Sequence, residues 1–233
     1  MNLDFMDNIN IIADLEVTLK EKWLKLRDEH ITGSDIHTLL GKRNYKSLKN
    51  KFEDKINGKY LDLENSKNAG NAIKFGTRNE DAIAHIFSTI YDVKIEEFDF
   101  MVTRKDNPIL AANVDRLFKE DGIQKILEIK TGNEKSLSKW NEKVPNQYLY
   151  QLIFYLYVFD LRYGVLFGMI GGEQEKGKIR QLIRFDVDIM DYQELLERII
   201  KRCRNFEKCL VSKVFMSEEE YKIMIENEKE SGL

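Results

Sequence analysis

Cysteine, proline and histidine are all scarce in this chain, and each shortage removes a class of protein. The two cysteines, Cys203 and Cys209, have neither Cys-x-x-Cys spacing nor zinc-type partners. That excludes a thiolate metal cluster and leaves a pair of reduced thiols. The two prolines, Pro108 and Pro145, provide no Pro-rich linker, and no internal repeat or low-complexity tract is present. The three histidines, His30, His37 and His85, are scattered. Gly-x-Ser-x-Gly, Gly-x-x-x-x-Gly-Lys-Ser/Thr and His-Glu-x-x-His are all missing, so serine-hydrolase, P-loop and zincin chemistries drop out. Long apolar runs are missing too. The longest, Leu152 to Phe159, has eight residues and is too short to cross a bilayer. The first residues lack the basic-then-apolar layout of a signal peptide, so the expectation is a soluble cytoplasmic protein with no membrane partner. Nor is there an excess of positive charge: 37 Lys plus Arg face 40 Asp plus Glu, a net charge of −3. A general nucleic-acid coat would be basic, although a local basic patch on an acidic chain can still steer a polyanion.

What is present can build a substantial core, with 42% hydrophobic and 11% aromatic residues in 233. The expectation is a single domain over 1–233. It would have a helical part to about 91, a sheet-centred core over about 71–189 and closing helices over about 190–233. Apolar spacing predicts helices over 8–27 (Ile11, Ile12, Leu15, Leu19, Trp23 and Leu26), 35–40 with Ser34 as cap, 44–55, 71–91, 146–160, 190–209 and 217–229. Strands are predicted over 93–104, 110–118, 124–131, 163–170 and 178–186, with turns at Lys105-Asp106-Asn107 and Asp121-Gly122. That order gives an α/β fold with a central mixed β-sheet flanked by helices.

The chemistry concentrates in Asn113-Val114-Asp115 and Glu128-Ile129-Lys130. In a strand, side chains alternate faces, so Leu127 and Ile129 point one way while Glu128 and Lys130 point together to the other. An acid and a base on one face, with an Asp on the preceding strand, can hold a hard cation and a water, as phosphodiester hydrolysis requires. The plainer alternative is a strand carrying ordinary charges on its solvent face. Oxygen ligands dominate, which favours Mg²⁺ or Mn²⁺ over zinc.

Three further places matter. Arg27 followed by Thr32-Gly33-Ser34 sets a guanidinium near hydroxyls and N–H groups at a helix start, which suits a phosphate. Tyr148, Gln151 and Tyr155 share one helix face. Tyr155 is read as packing on the sheet and Gln151 as facing the site. Lys42, Arg43, Lys46, Lys49, Lys51 and Lys55 form a basic cluster, read either as a solvated face or as a track for a nucleic-acid backbone.

Taken together with Trp23-Leu24-Lys25-Leu26-Arg27, Ile31-Thr32-Gly33-Ser34-Asp35-Ile36, Phe75-Gly76-Thr77-Arg78-Asn79-Glu80 and Pro145-Asn146-Gln147-Tyr148-Leu149-Tyr150-Gln151, these motifs have a familiar order and spacing. From about residue 20 to 171 the chain resembles the phage lambda-type alkaline exonucleases, the YqaJ-like viral recombinase family of PD-(D/E)xK nucleases. The resemblance implies a restriction-endonuclease-like core. It implies metal-binding carboxylates at Asp115 and Glu128, with the Ile129 main-chain carbonyl as third ligand. Lys130 would orient or activate the attacking water, and Glu80 would lie close to the metal. Arg27, Ser34, Asn113 and Gln151 would hold the 5′-phosphate of a DNA end, with Thr32 and Tyr148 beside the site.

The implied activity is Mg²⁺-dependent, with Mn²⁺ able to substitute. It degrades the 5′ strand of linear duplex DNA and leaves 3′ overhangs for phage-type recombination. A ring-shaped homotrimer and a single-strand annealing protein are the implied partners. Three positions depart from the pattern: Val114 replaces a core proline, Arg116 stands where the lambda-type enzyme has glycine, and Asn113 replaces a serine directed at the terminal phosphate. A nicking or structure-specific endonuclease of the same fold, or an inactive DNA-end-binding module, are the rival readings.

Overall fold

Two mixed sheets, rather than one, form the centre of the molecule. The computed structural model describes residues 4–41, 45–58, 67–133, 140, 143–171 and 181–230. In chain order they contain β1 (Ile9–Asp14), α1 (Lys20–Glu29), β2 (Ile31–Thr32), α2 (Gly33–Leu39), α3 (Tyr45–Ile56), α4 (Lys67–Tyr91), β3 (Ile95–Glu97), β4 (Phe100–Arg104), β5 (Asn107–Ala112), β6 (Arg116–Glu120) and β7 (Ile123–Gly132). The order continues with α5 (Asn146–Phe159), β8 (Tyr163–Ile170), β9 (Gln181–Asp188), α6 (Gln193–Ser212) and α7 (Glu218–Glu230). The smaller sheet runs β1-β4-β5-β2 and the larger β3-β6-β7-β8-β9. The β7 and β8 strands are parallel, as a crossover through α5 requires, and the other neighbours in the larger sheet are antiparallel.

The expected α/β architecture is present, with three revisions to the elements. Residues 8–27 are not one helix: β1 pairs antiparallel with β4, and only Lys20–Glu29 is helical. Ile11 and Leu19, expected in the helical stripe, are exposed. Short apolar runs are ambiguous between helix and strand, and here the distant partner β4 decides. The expected strands 93–104 and 110–118 each divide between the two sheets, the first into β3 and β4, the second into β5 and β6. The Asp121-Gly122 turn is as expected. Both residues have positive φ, 53° and 78°, matching the twist of the β6–β7 hairpin.

The division of 107–120 is what positions the site. Chain leaving β5 crosses from one sheet to the other through Asn113-Val114-Asp115, with Val114 buried as the pivot. The larger sheet is covered on both faces. Leu127, Ile129, Val165 and Phe167 face α4, where Ile83 and Phe87 pack on them. Ile126 and Leu166 face the main core with Leu152, Ile153 and Leu156 of α5. Ile36 and Leu39 of α2 and Ile199 and Phe206 of α6 complete that core. Among the described residues no helix is long and apolar enough to cross a membrane. Cys203 and Cys209 are both buried free thiols.

Candidate active site

Alternation along β7 sends Glu128 and Lys130 to the face opposite Leu127 and Ile129, as the sequence predicts. That face is not solvent, because Glu128 is 1% exposed. Burial of this kind rules out the plainer reading of the pair as surface charge. Lys130 Nζ donates to Glu128 Oε2 at 2.7 Å and stands 3.9 Å from Asp115 Oδ2. A reciprocal backbone lock joins the two acids. Ile129 N–H donates to Asp115 Oδ2 at 2.7 Å, and Asp115 N–H makes a longer contact, 3.4 Å, to Glu128 Oε1. The lock forms because pairing of β6 with β7 begins only at Arg116 and Leu127, which leaves the edge of β7 beyond Leu127 open to Asp115. Since N–H and C=O of one strand residue project to the same edge, the Ile129 carbonyl is directed to that edge as well.

Electrostatics at this corner is strained. Burial, and then the Asp115 carboxylate, push Glu128 up to about 8 against the pull of Lys130. Burial disfavours charge on Lys130, but Glu128 and Asp115 more than offset it and hold the ammonium charged far into the alkaline range. From the opposite layer, α4 brings Glu80 to the same edge. Burial and the Asp115 charge push its carboxyl up to about 7. Glu80 Oε1 is held by Arg116 Nη1 at 2.9 Å, and Arg116 Nη2 donates to Asp81. Among the described residues no three Asp, Glu, His or Cys side chains converge as metal ligands. Two carboxylates and a main-chain carbonyl are nevertheless a hard, all-oxygen donor set. Such a set fits Mg²⁺, which is usually bound through one or two carboxylates and keeps waters or substrate phosphates in its other positions.

A second cluster lies at the start of α2. Thr32, rather than Ser34, precedes the first turn as its cap, and its N–H donates to Asp35 Oδ2 at 2.9 Å. Ser34 is thereby free of the capping role and accepts from Arg27 Nη2 at 2.9 Å, with Thr32 Oγ1 3.1 Å away. Arg27 also stacks on Trp23, 4.8 Å from the ring centroid. Lys55 supports this cluster from below. Its buried ammonium bonds Asp35 Oδ2 at 2.9 Å and the main-chain oxygens of Arg27 and His30 at 2.6 and 2.7 Å. Lys51 adds a second contact to Asp35 at 3.2 Å. Both lysines belong to the basic cluster that the sequence presents as a solvated face or a nucleic-acid track, and the structure turns both inward to a buried acid.

The two clusters meet through α5. Gly33 lies so close to this helix that a Cβ there would sit 2.4 Å from Tyr155 Cε1 and 3.0 Å from Gln151 Cγ. Gln151 Nε2 donates to the Tyr155 hydroxyl at 2.8 Å. Burial raises the phenol pKa, and the charge of Glu128 raises it further. Tyr148 lies under Lys130, 5.6 Å from Nζ to the ring centroid, and stacks on Trp140. Asn113 sits on the crossover between sheets, where its amide donates to the Phe100 carbonyl at 3.3 Å. Lys46 is exposed, and exposed Lys49 pairs with Glu53 at 3.9 Å. Lys42 and Arg43 lie outside the described residues.

Arg116, Lys55 and the Tyr155 hydroxyl were not read as parts of the site. For Arg116 there was a local signal: a charged residue opening a strand beside Asp115, facing the layer that supplies Glu80. Lys55 had none, because an exposed lysine and a buried one look alike in a helix of mixed polarity.

This arrangement of layers and acids is that of a restriction-endonuclease-like nuclease fold. The structure is similar to an alkaline exonuclease from Laribacter hongkongensis, with TM-score 0.62 and 16% identity over 91% of this chain and 98% of that one. The same enzyme in complex with dAMP matches at TM-score 0.63, with the same identity and coverage. A phage-related exonuclease from Haemophilus somnus 129PT matches at 0.54, with 12% identity over 82% and 99% of the two chains. Among curated proteins none matches. Residues 22–162 match the YqaJ-like viral recombinase domain, and the chain belongs to that family.

Proposed function

We propose that this protein is a Mg²⁺-dependent exonuclease that degrades the 5′ strand of linear double-stranded DNA and leaves 3′ single-stranded overhangs for recombination. The observation that carries the reading is the convergence of Asp115, buried Glu128 and Lys130 at the open edge of β7. In this reading Asp115, Glu128 and the Ile129 carbonyl hold the cation, and Mn²⁺ can replace Mg²⁺. When bound, the ion polarises the phosphoryl group and lowers the pKa of a water. Lys130 orients that water and places positive charge where the transition state gathers negative charge. Arg27 and Ser34 receive the 5′-phosphate, with Thr32, Asn113 and Gln151 around it. Tyr148 shields Lys130 from solvent. Lys46 and Lys49, with Lys42 and Arg43, follow the duplex backbone. A homotrimer that threads DNA would explain how a chain of net charge −3 holds a polyanion, since basic side chains can line a channel while acids face outward. The reading places the enzyme in the cytoplasm, beside a single-strand annealing protein.

The test is digestion of end-labelled linear duplex mixed with a covalently closed circle, with and without Mg²⁺, using wild type and Glu128→Gln. Loss of 5′ label from the linear DNA alone, only with Mg²⁺ and only in wild type, is the expected result. A cut circle would make the protein an endonuclease of the same fold, and unchanged DNA in every lane would leave only end binding.

A further inference from the structure

Arg116 has no part in the chemistry just described, yet it is one of the most firmly held side chains in the site. It opens β6 with its side chain only 9% exposed. Nη1 donates both to Glu80 Oε1 and to the main-chain oxygen of Asp115, and Nη2 donates to Asp81 Oδ1. A carboxylate oxygen from α4 and a carbonyl oxygen from the sheet crossover thus converge on one fixed positive charge, immediately beside the Asp115–Glu128 pair.

Nucleases that use two divalent ions place them about 3.5–4 Å apart, so that one serves the attacking oxygen and the other the leaving oxygen. A second ion needs oxygen donors of its own next to those of the first. Glu80 and the Asp115 carbonyl are placed to be those donors, and a guanidinium already occupies them. That group is permanently charged, planar and suited to binding two oxygens at once. It supplies, without exchange, the positive charge a second ion would bring. The charge tally agrees. With every group ionised, Asp115, Glu128, Glu80 and Asp81 face Lys130 and Arg116, which leaves two net negative charges, as many as a single dication neutralises.

Resting on the metal-dependent reading above, we propose that Arg116 stands in for the second cation, so that this chain binds one divalent ion, at Asp115 and Glu128, with Glu80 reserved for the arginine. Arg116 is then a positioning residue for Glu80 and a fixed cation beside the reacting phosphate.

The test is metal stoichiometry, read independently of turnover. Metal-free full-length protein is titrated with Mn²⁺ by calorimetry, and the bound ion is examined by electron paramagnetic resonance. Wild type should take one Mn²⁺ per chain and give the spectrum of an isolated ion. Arg116→Gly should take two and show a spin-coupled pair. Arg116→Met, which keeps the apolar stem, serves if the glycine variant does not fold. Glu80→Gln in the wild-type background should still bind one. Two ions on wild type, or loss of the single ion in Glu80→Gln, overturns the proposal and leaves the metal-dependent reading intact. Folded Arg116 variants that still take one ion make Arg116 a mere anchor for α4 and also overturn it. Wild type that binds no Mn²⁺ removes the reading and the proposal together.

Discussion

If Glu128 must be ionised to hold a cation, Mg²⁺ and the proton compete for it, and the competition is measurable. Glu128 is 1% exposed beside Asp115, and its pKa is pushed from its ordinary 4.5 to about 8. At neutral pH without a cation it therefore keeps its proton, and a dication must displace that proton to bind. For one-for-one competition, each tenfold rise in Mg²⁺ above its dissociation constant lowers the apparent pH midpoint by up to about one unit. At limiting Mg²⁺, initial rates on linear duplex should climb through about pH 8. A roughly hundredfold increase in Mg²⁺ should move that midpoint down by one to two units before Glu80, at about 7, adds its own ionisation. Rates would be taken from about pH 5.5 to 9.5 at fixed ionic strength and three Mg²⁺ levels. A midpoint that stays in place across that range would refute the argument, because the titrating group would not be a ligand.

Stability gives the same test without turnover. Between about 4.5 and 8 the folded chain holds a proton on Glu128 that the unfolded chain has released. Metal-free stability is therefore fully present below that window and is lost as pH rises through it, by a few kcal/mol at most. Lys130 stays charged throughout, since its pKa lies above the ordinary 10.5, so the slope belongs to the raised acids, Glu128 first and Glu80, at about 7, with a smaller share. Thermal melts at pH 6 and 9 should differ without Mg²⁺ and converge with it.

Other variants probe other parts of the reading. Lys130→Ala should lower kcat by about a hundredfold or more while DNA binding persists in a gel shift; near-normal rates would mean the lysine has no catalytic role. Arg27→Ala and Ser34→Ala should each slow 5′-phosphorylated ends by roughly tenfold and spare 5′-hydroxyl ends, and equal losses on both ends would reject the pocket. Lys55→Met should destabilise the fold by about 3 kcal/mol in denaturant titrations, because it leaves buried Asp35 with less compensation; an unchanged midpoint would show that Lys51 suffices. Charge reversal at Lys46 and Lys49 should flatten the salt dependence of duplex binding by about two units of log–log slope, and an unaltered slope would remove them from the DNA path.

The parts of this fold that were legible in the sequence are those set locally. Period two alone puts Glu128 and Lys130 on one face of β7, and the Asp121-Gly122 turn announces its hairpin. Sheet membership is different, because it depends on partners far along the chain. Nothing within 93–104 says that β3 will join β6 while β4 joins β1 and β5, and nothing in Ile9–Asp14 declares the pairing to β4. Burial of charge is equally non-local. Lys55 reads as one more basic helix residue until α1, α2 and Asp35 close around it. Tyr155 packs as its helix spacing predicts, but its hydroxyl also accepts from Gln151, and the ring reaches that place because Gly33 has no side chain in its way.

The contrast between the two buried carboxylates argues most directly for where the chemistry lies. Asp35 is 0% exposed, and burial alone would raise its pKa. Lys55, Lys51 and the Thr32 N–H pull it down further, well below the usual carboxylate range. Its charge is fully compensated from within, as expected of a group whose task is to hold α2 in place. Glu128 is as deeply buried and has a lysine at 2.7 Å, yet its pKa moves the other way: burial raises it most, and Asp115 adds a like charge that the one lysine, shared between the two acids, does not offset. Placing two acids against one ammonium costs stability at neutral pH and contributes nothing to packing that an apolar pair would not. A cation from outside the chain removes that cost, so the pair is under-compensated in the state that has yet to bind one. Perturbed groups of this kind mark functional sites when geometry also provides an open edge, and the unpaired end of β7 beside Asp115 is that edge.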